Sequence, residues 1–190
     1  MENVKKFSGE TDNDIWAQVS SDMAQEDTIL EYSAVLEQQG ATIFFDLDID
    51  LGGGFESGFE TTRFTALVSG QNSLRFHIYP QDWVKEIEKL FGLEDVKLGY
   101  PELDAAYIIQ TNQPQTLKQI LIDSAIQNVL LKYPKAHLKL SPNEDQAEGT
   151  LKFSVYFYQA ITNPADLQEI YRLVFILLQR LENTDGYLRM

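Results

Sequence analysis

Apolar and acidic residues alternate along one stretch of this chain. From Ala41 to Leu51, Phe45, Leu47, Ile49 and Leu51 are separated by Asp46, Asp48 and Asp50. A period of two predicts a strand with one buried and one wet face. Ile29–Glu37 reads as a strand before it, with a helical turn as the alternative. Phe59–Val68 and Ser73–Tyr79 read as two strands after it, joined by the turn Ser69-Gly70-Gln71-Asn72. Connections this short imply antiparallel hairpins.

The period changes elsewhere. Ile15, Trp16, Val19 and Met23 fall on one face of a helix running from Asp14 to Met23, with Thr11, Asp12 and Asp14 as candidate caps. Pro80 stops a strand, and Trp83, Ile87, Leu90 and Phe91 then take helical spacing up to Gly92. Ala105–Thr111 reads as a strand. A helix follows from Pro114 to about Lys132, with Leu117, Ile120, Leu121, Ala125, Val129 and Leu130 toward the core. Ala136–Leu140 and Thr150–Tyr158 form a strand pair around Asn143-Glu144-Asp145. Asn163 and Pro164 open a last helix that runs to Leu181. It is apolar nearly all round from Tyr171 to Leu178, which suits a central core helix or a homodimer seam.

The predicted order is α-ββββ-α-β-α-ββ-α. Helices kept apart from hairpin-linked strands predict an α+β fold with a largely antiparallel sheet. A polar N-terminal segment, residues 1–27, carries the first short helix. Residues 28–190 read as one α+β domain, a size that buries a substantial core.

Charge narrows the function classes. Fifteen basic residues against twenty-nine acidic ones give a formal net charge of −14. Nucleic-acid binding starts from phosphate neutralisation, so this field opposes it, and it equally disfavours anionic membrane surfaces. A basic protein partner or a cation is attracted. The same acidity also serves plain solubility. The sequence has no cysteine, which excludes disulfides, thiolate zinc sites and cysteine nucleophiles, and the expected compartment is the cytoplasm. The longest apolar run, Leu173 to Leu178, falls far short of the roughly twenty residues a spanning helix needs.

One block is specific enough to suggest a family. It comprises Phe76, Ile78 and Tyr79, the helix end Lys89-Leu90-Phe91-Gly92, the turn Glu94-Asp95-Val96-Lys97-Leu98-Gly99, and Glu102-Leu103-Asp104-Ala105-Ala106-Tyr107-Ile108-Ile109, with Thr62-Arg63 upstream. It resembles a group of uncharacterised bacterial proteins, a domain of unknown function with a Lys-Leu-x-Gly-x-x-Asp-Ile-x-x-Gly turn. The resemblance spans about residues 59–182. It departs from the group's pattern at Leu103, where Phe is usual, and at Ala106-Tyr107, where an aromatic is shifted by one. No activity is known for the group, so the resemblance implies no catalytic residue.

Candidate chemistry is thin. Asp95 and Asp104 flank a turn at Gly99-Tyr100-Pro101. They read as caps on backbone N–H groups, or as a carboxylate pair for acid–base work or a cation. Gly99 is expected at positive φ. Arg63 is a candidate partner for one of these acids. Asp46, Asp48 and Asp50 read as acids on a wet strand face, or as a Mg²⁺ or Ca²⁺ site with Glu56. The calcium-loop spacing fails, because Leu51 and Ser57 stand where Gly and Glu are needed. Gly52-Gly53-Gly54 and Gly58 form no phosphate-binding motif. Phe55 and Phe59 on that loop are candidate partner anchors. His77 and His137 are too few for a metal centre on their own. Tyr79, Trp83 and Tyr107 line either a ligand pocket or the core between helix and sheet.

These readings lead to an expected function. The chain is a soluble, acidic protein-interaction module, chaperone-like or immunity-like, without catalysis and without a cofactor. A small-molecule or lipid-binding domain with an aromatic pocket is the alternative, and an enzyme with no readable motif is a third.

Overall fold

The computed structural model describes residues 4–53, 58–69, 73–83, 93–143 and 149–183. Among these the fold is α+β, with nine mostly antiparallel strands and five helices. The chain divides into two compact units, Met1–Ala66 with Tyr156–Phe175, and Leu67–Val155 with Ile176–Met190.

The first unit holds β1 (Lys5–Gly9), α1 (Asp12–Met23), β2 (Glu31–Gln38), β3 (Ala41–Asp50) and most of β4 (Phe59–Ser69), in the order β1-β2-β3-β4. It also holds the end of β9 (Thr150–Phe157) and the first part of α5 (Pro164–Glu182). β2, β3 and β4 are antiparallel neighbours, with Ala34 opposite Phe45 and Phe45 opposite Phe64. The β2–β3 turn is two residues long, Gln39 at φ 49° and Gly40 at φ 84°. Positive φ at both positions suits the right-handed twist of a tight hairpin.

Alternation decides which face is buried. Tyr32, Ala34, Leu36, Ile43, Phe45, Leu47, Phe64 and Ala66 all point into the core. α1 covers them through Trp16, only 2% exposed, whose ring centroid lies 5.9 Å from that of Phe45 and 6.0 Å from that of Tyr171 on α5. Phe45 and Phe64 stack at 4.8 Å. The entry to α1 is a capping box: Asp14 accepts the Thr11 N–H at 2.9 Å, and Thr11 Oγ1 accepts the Asp14 N–H at 3.3 Å. Arg172 on α5 donates to Asp12 in the first turn of α1. The N-terminal segment is therefore part of this core.

β1 is an addition to the expected order. It pairs with β2 in parallel, Phe7 opposite Leu36. Its sequence, Lys5-Lys6-Phe7-Ser8-Gly9, has a single large apolar residue, and its strand character comes from the backbone ladder with β2.

The second unit holds β5 (Phe76–Pro80), β6 (Glu94–Val96), α2 (Pro101–Ala106), β7 (Tyr107–Thr111), α3 (Pro114–Ile120), α4 (Ser124–Lys132), β8 (His137–Pro142) and most of β9, with strands ordered β9-β8-β5-β7-β6. β5 is antiparallel to both β7 and β8. Glu94-Asp95-Val96, expected as a turn, is a strand antiparallel to β7. α2 replaces the first residues of the strand expected from Ala105, with Pro101 in its first turn and Leu103 buried. The helix expected over 83–91 lies, from residue 84 onward, outside the described residues.

The single helix expected from Pro114 to about Lys132 is two. α3 ends at Leu121 in a non-helical conformation, and Asp123 restarts the chain as an N-cap, accepting the Ala125 N–H at 2.9 Å. Arg180 on α5 fixes the break by donating to the Ile120 carbonyl and to Asp123, both at 2.8 Å. The restart shifts the buried face, so Ile126 and Leu130 point inward while Ala125, expected in the core, is exposed.

α5 opens as expected, with Asn163 Oδ1 accepting the N–H of Ala165 at 2.9 Å and of Asp166 at 3.3 Å. Tyr171, Leu173, Val174, Leu177, Leu178 and Leu181 are all buried. That is the core-helix alternative for this segment. Among the described residues no helix is long and apolar enough to cross a membrane.

Candidate functional site

β3 alternates strictly, so the residues that do not enter the first unit's core share its other face. The register places Glu31 opposite Asp48, Ser33 opposite Asp46, and Val35 opposite Phe44. On the far side of β3, Asp46 faces Arg63, Asp48 faces Thr61 and Phe44 faces Thr65. Phe44 is 40% exposed. The core-facing helices α1 and α5 lie against the opposite face.

Aromatic residues extend this surface. The Arg63 guanidinium carbon stands 6.0 Å from the ring centroid of Tyr156. Tyr156 meets Tyr158 edge to face at 5.5 Å, and Tyr158 is 48% exposed. The charges are mostly acidic. Lys6 pairs with Glu37 at 2.8 Å. Among the described residues, Glu31, Asp46 and Asp48 make no ion pair; Asp46 accepts only the Ser33 hydroxyl, at 2.8 Å. The surface thus presents uncompensated carboxylates beside exposed rings.

Asp46, Asp48 and Asp50 therefore lie on a wet face, as alternation requires. Asp50 closes the strand end by accepting the Gly52 N–H at 2.8 Å. No group of three or more His, Asp or Glu residues that could hold a metal ion occurs among the described residues. Glu56 and Phe55 lie outside the described residues. Phe59, at the start of β4 opposite Asp50, is 51% exposed.

Asp95 and Asp104 belong to the second unit and serve different partners. Asp104 accepts the N–H of Leu98 at 3.0 Å and of Gly99 at 2.8 Å, while Asp95 accepts Gln110 Nε2 across the β6–β7 ladder at 2.8 Å. Gly99 sits at φ +82°. Asp104 is thus a backbone cap, whereas Asp95 serves a side-chain amide. The expected fork between Arg63 and one of these acids is replaced: Arg63 has Asp46 as its ladder neighbour and Tyr156 as its ring contact.

The aromatic candidates of the second unit divide by strand face. His77 and Tyr79 share one face of β5, at 4.9 Å between centroids. His137 on β8 lies 6.3 Å from His77, and Trp83 meets His137 edge to face at 4.5 Å. Tyr107 pairs with Pro80, so it stands on the other face. Its hydroxyl lies 2.9 Å from each of the Leu130 and Tyr133 carbonyls, close enough to donate to either. Tyr79, Trp83 and Tyr107 consequently do not line one pocket. Burial pushes the Tyr79 hydroxyl up, helped by the Asp95 charge. Burial also pulls the His137 imidazole down to about 4, so it is neutral at pH 7.

A polar cavity of about 530 Å³ lies elsewhere in the first unit, lined by Ser8, Glu10, Glu37, Gln39 and Thr42 among others. It holds no aromatic side chain and none of the predicted site residues.

Phe44, Tyr156 and Tyr158 were the surface residues sequence reasoning passed over. The signal was present. Alternation puts Phe44 on the side of Asp46 and Asp48, and puts Tyr156 and Tyr158 out of phase with Leu151, Phe153, Val155 and Phe157.

No protein-family model, curated protein or solved structure matches this chain.

Proposed function

We propose that the chain is a non-enzymatic interaction module, chaperone-like or immunity-like, that binds a basic protein partner on the wet face of β2, β3 and β4. One observation carries the reading: Glu31, Asp46 and Asp48 stand in register, free of ion pairs among the described residues, beside exposed Phe44 and Tyr158. Rings provide area to bury, and carboxylates at the rim select cationic partners and speed their encounter. The net charge of −14 acts in the same direction. The cysteine-free composition favours the cytoplasm as the place of encounter.

A homodimer through α5 is less well supported, because the apolar side chains that would form the seam are already buried.

The test is capture of a panel of basic proteins as salt rises from about 0.01 M to about 0.15 M, which shortens the screening length from about 30 Å to about 8 Å. Binding that weakens steeply with salt and is lost in an Asp46→Asn/Asp48→Asn variant supports the reading. Binding indifferent to both changes overturns it.

A small-molecule site in the second unit is the other reading, and the ring series Tyr79, His77, His137 and Trp83 is its observation. Trp83 sits at its accessible end, so ligand binding there would quench or shift tryptophan fluorescence. The Trp83→Phe variant would lose that response, while a screen without such a response counts against this site.

A further inference from the structure

Glu31 and Asp48 stand directly opposite each other where β2 pairs with β3. Both lie on the wet face, and among the described residues neither makes an ion pair. Like charges set directly across a ladder destabilise it. Solubility calls for acidic residues, but not for two of them face to face. The same register continues in two further rows, Ser33 with Asp46 and then Val35 with Phe44. Val35 is half-buried and Phe44 exposed, so the last row offers apolar area. Each row lies two residues from the next, about 6.7 Å along the strands. The face thus reads apolar, acidic, doubly acidic from one end to the other.

We infer that these rows receive one amphipathic helix of the partner, with an apolar residue over Val35 and Phe44. Basic residues four and eight positions further on then meet Asp46 and the Glu31–Asp48 pair. The helix rests on the basic-partner reading, and adds to it the partner's secondary structure and the order of its side chains. Positions four and eight residues on lie about 6 Å and about 12 Å along a helix axis. That follows the rows closely enough for long basic stems to close the difference. An extended segment laid on a sheet face would leave its own N–H and C=O groups without partners, whereas a helix satisfies them internally. Arg63, opposite Asp46 on β4, repels cations on that side and keeps the helix over β2 and β3. A second copy of this chain is the wrong occupant, because it would set the same carboxylates against themselves at a net charge of −14.

The pair also fixes a sign. Neutralising either acid removes a repulsion in the free chain and an attraction in the complex. Asp48→Asn and Glu31→Gln should therefore weaken binding without weakening the fold.

The experiment titrates the full chain, followed by amide NMR at low salt, with three peptides of equal charge. The first is an alanine-based helix of about sixteen residues, with a leucine and arginines four and eight positions after it. The second has the same composition, with the arginines moved to two and six positions after the leucine, on the opposite side of the helix. The third is a glycine-spaced arginine peptide that forms no helix. Circular dichroism checks peptide helicity, and urea denaturation checks each variant. The first peptide should bind about tenfold tighter than the other two. Phe44→Ala should remove most of that advantage and leave the glycine-spaced peptide unaffected. Asp48→Asn and Glu31→Gln should each weaken the first peptide about threefold, with urea midpoints level with wild type or higher. Equal binding of the two helical peptides overturns the inference, as does an advantage that survives Phe44→Ala or a lower midpoint in either neutralised variant. A free chain that sediments as a dimer, and as a monomer in Phe44→Ala, overturns it in favour of a second copy. If all three peptides bind equally and Asp46→Asn/Asp48→Asn abolishes that binding, the basic-partner reading stands without the helix. If none binds, both fall.

Discussion

Asp104 accepts the backbone N–H of Gly99 at 2.8 Å and, with its other oxygen, that of Leu98 at 3.0 Å. The carboxylate thus holds the turn that leads from β6 into α2. Gly99 occupies φ +82°, where a Cβ is strained, and a Cβ there would also meet Lys118 Nζ at 3.3 Å. Asp104→Ala should cost about 1–2 kcal/mol by leaving two N–H groups without their acceptor. Gly99→Ala should cost a similar amount, about 1–2 kcal/mol. Urea denaturation measures both, and basic-peptide affinity should not change. A loss of binding without a loss of stability would assign this turn a direct role.

Tyr171 donates to Gln38 Oε1 at 2.9 Å inside the first unit's core. Tyr171→Phe keeps the ring contact with Trp16 but leaves a buried amide oxygen without its donor. A cost of about 1–3 kcal/mol is expected, read as a lower denaturation midpoint with an unchanged slope. No change would mean that Gln38 finds another partner.

Trp16 is the largest buried side chain of α1, with ring contacts to Phe45, Phe64 and Tyr171. Trp16→Ala should cost about 3–5 kcal/mol, whereas Asp46→Asn on the wet face should cost almost nothing. If the tryptophan variant is as stable as wild type, α1 is not docked as described.

Acid should weaken the second unit through His137. Burial holds its imidazole at about 4 in the folded chain, against an ordinary value of 6.5. Between these values the unfolded chain binds the extra proton. The contribution is therefore complete above pH 6.5 and is lost as pH falls toward 4, by at most about 3 kcal/mol. His137→Phe should flatten that part of the stability–pH curve. A variant curve that keeps the wild-type slope would refute the assignment.

Legibility followed how much each element depends on its own residues. β3 was readable because Phe45, Leu47 and Asp46, Asp48 obey a period of two, and α1 because Thr11 and Asp14 form a capping box before an apolar stripe. β1 was not, since Lys5-Lys6-Phe7-Ser8-Gly9 becomes a strand only by pairing with β2. The break between α3 and α4 was hidden because Leu121 continues the apolar spacing, while Arg180, fifty-seven residues after Asp123, fixes the interruption. The capping reading of Asp104 was within reach of the sequence. The proposed binding face was only half visible: its acids stood out and Phe44 lies among them on β3, but Tyr156 and Tyr158 come from a segment distant in sequence.

The central claim is that partners meet the wet face of β2, β3 and β4. Backbone amide NMR of the full chain, titrated with the glycine-spaced arginine peptide at low salt, tests it most directly. The account predicts shifts concentrated at Phe44, Asp46, Asp48, Arg63 and Tyr158, disappearing in the Asp46→Asn/Asp48→Asn variant. Shifts concentrated elsewhere, or spread evenly over all acidic residues, would contradict it.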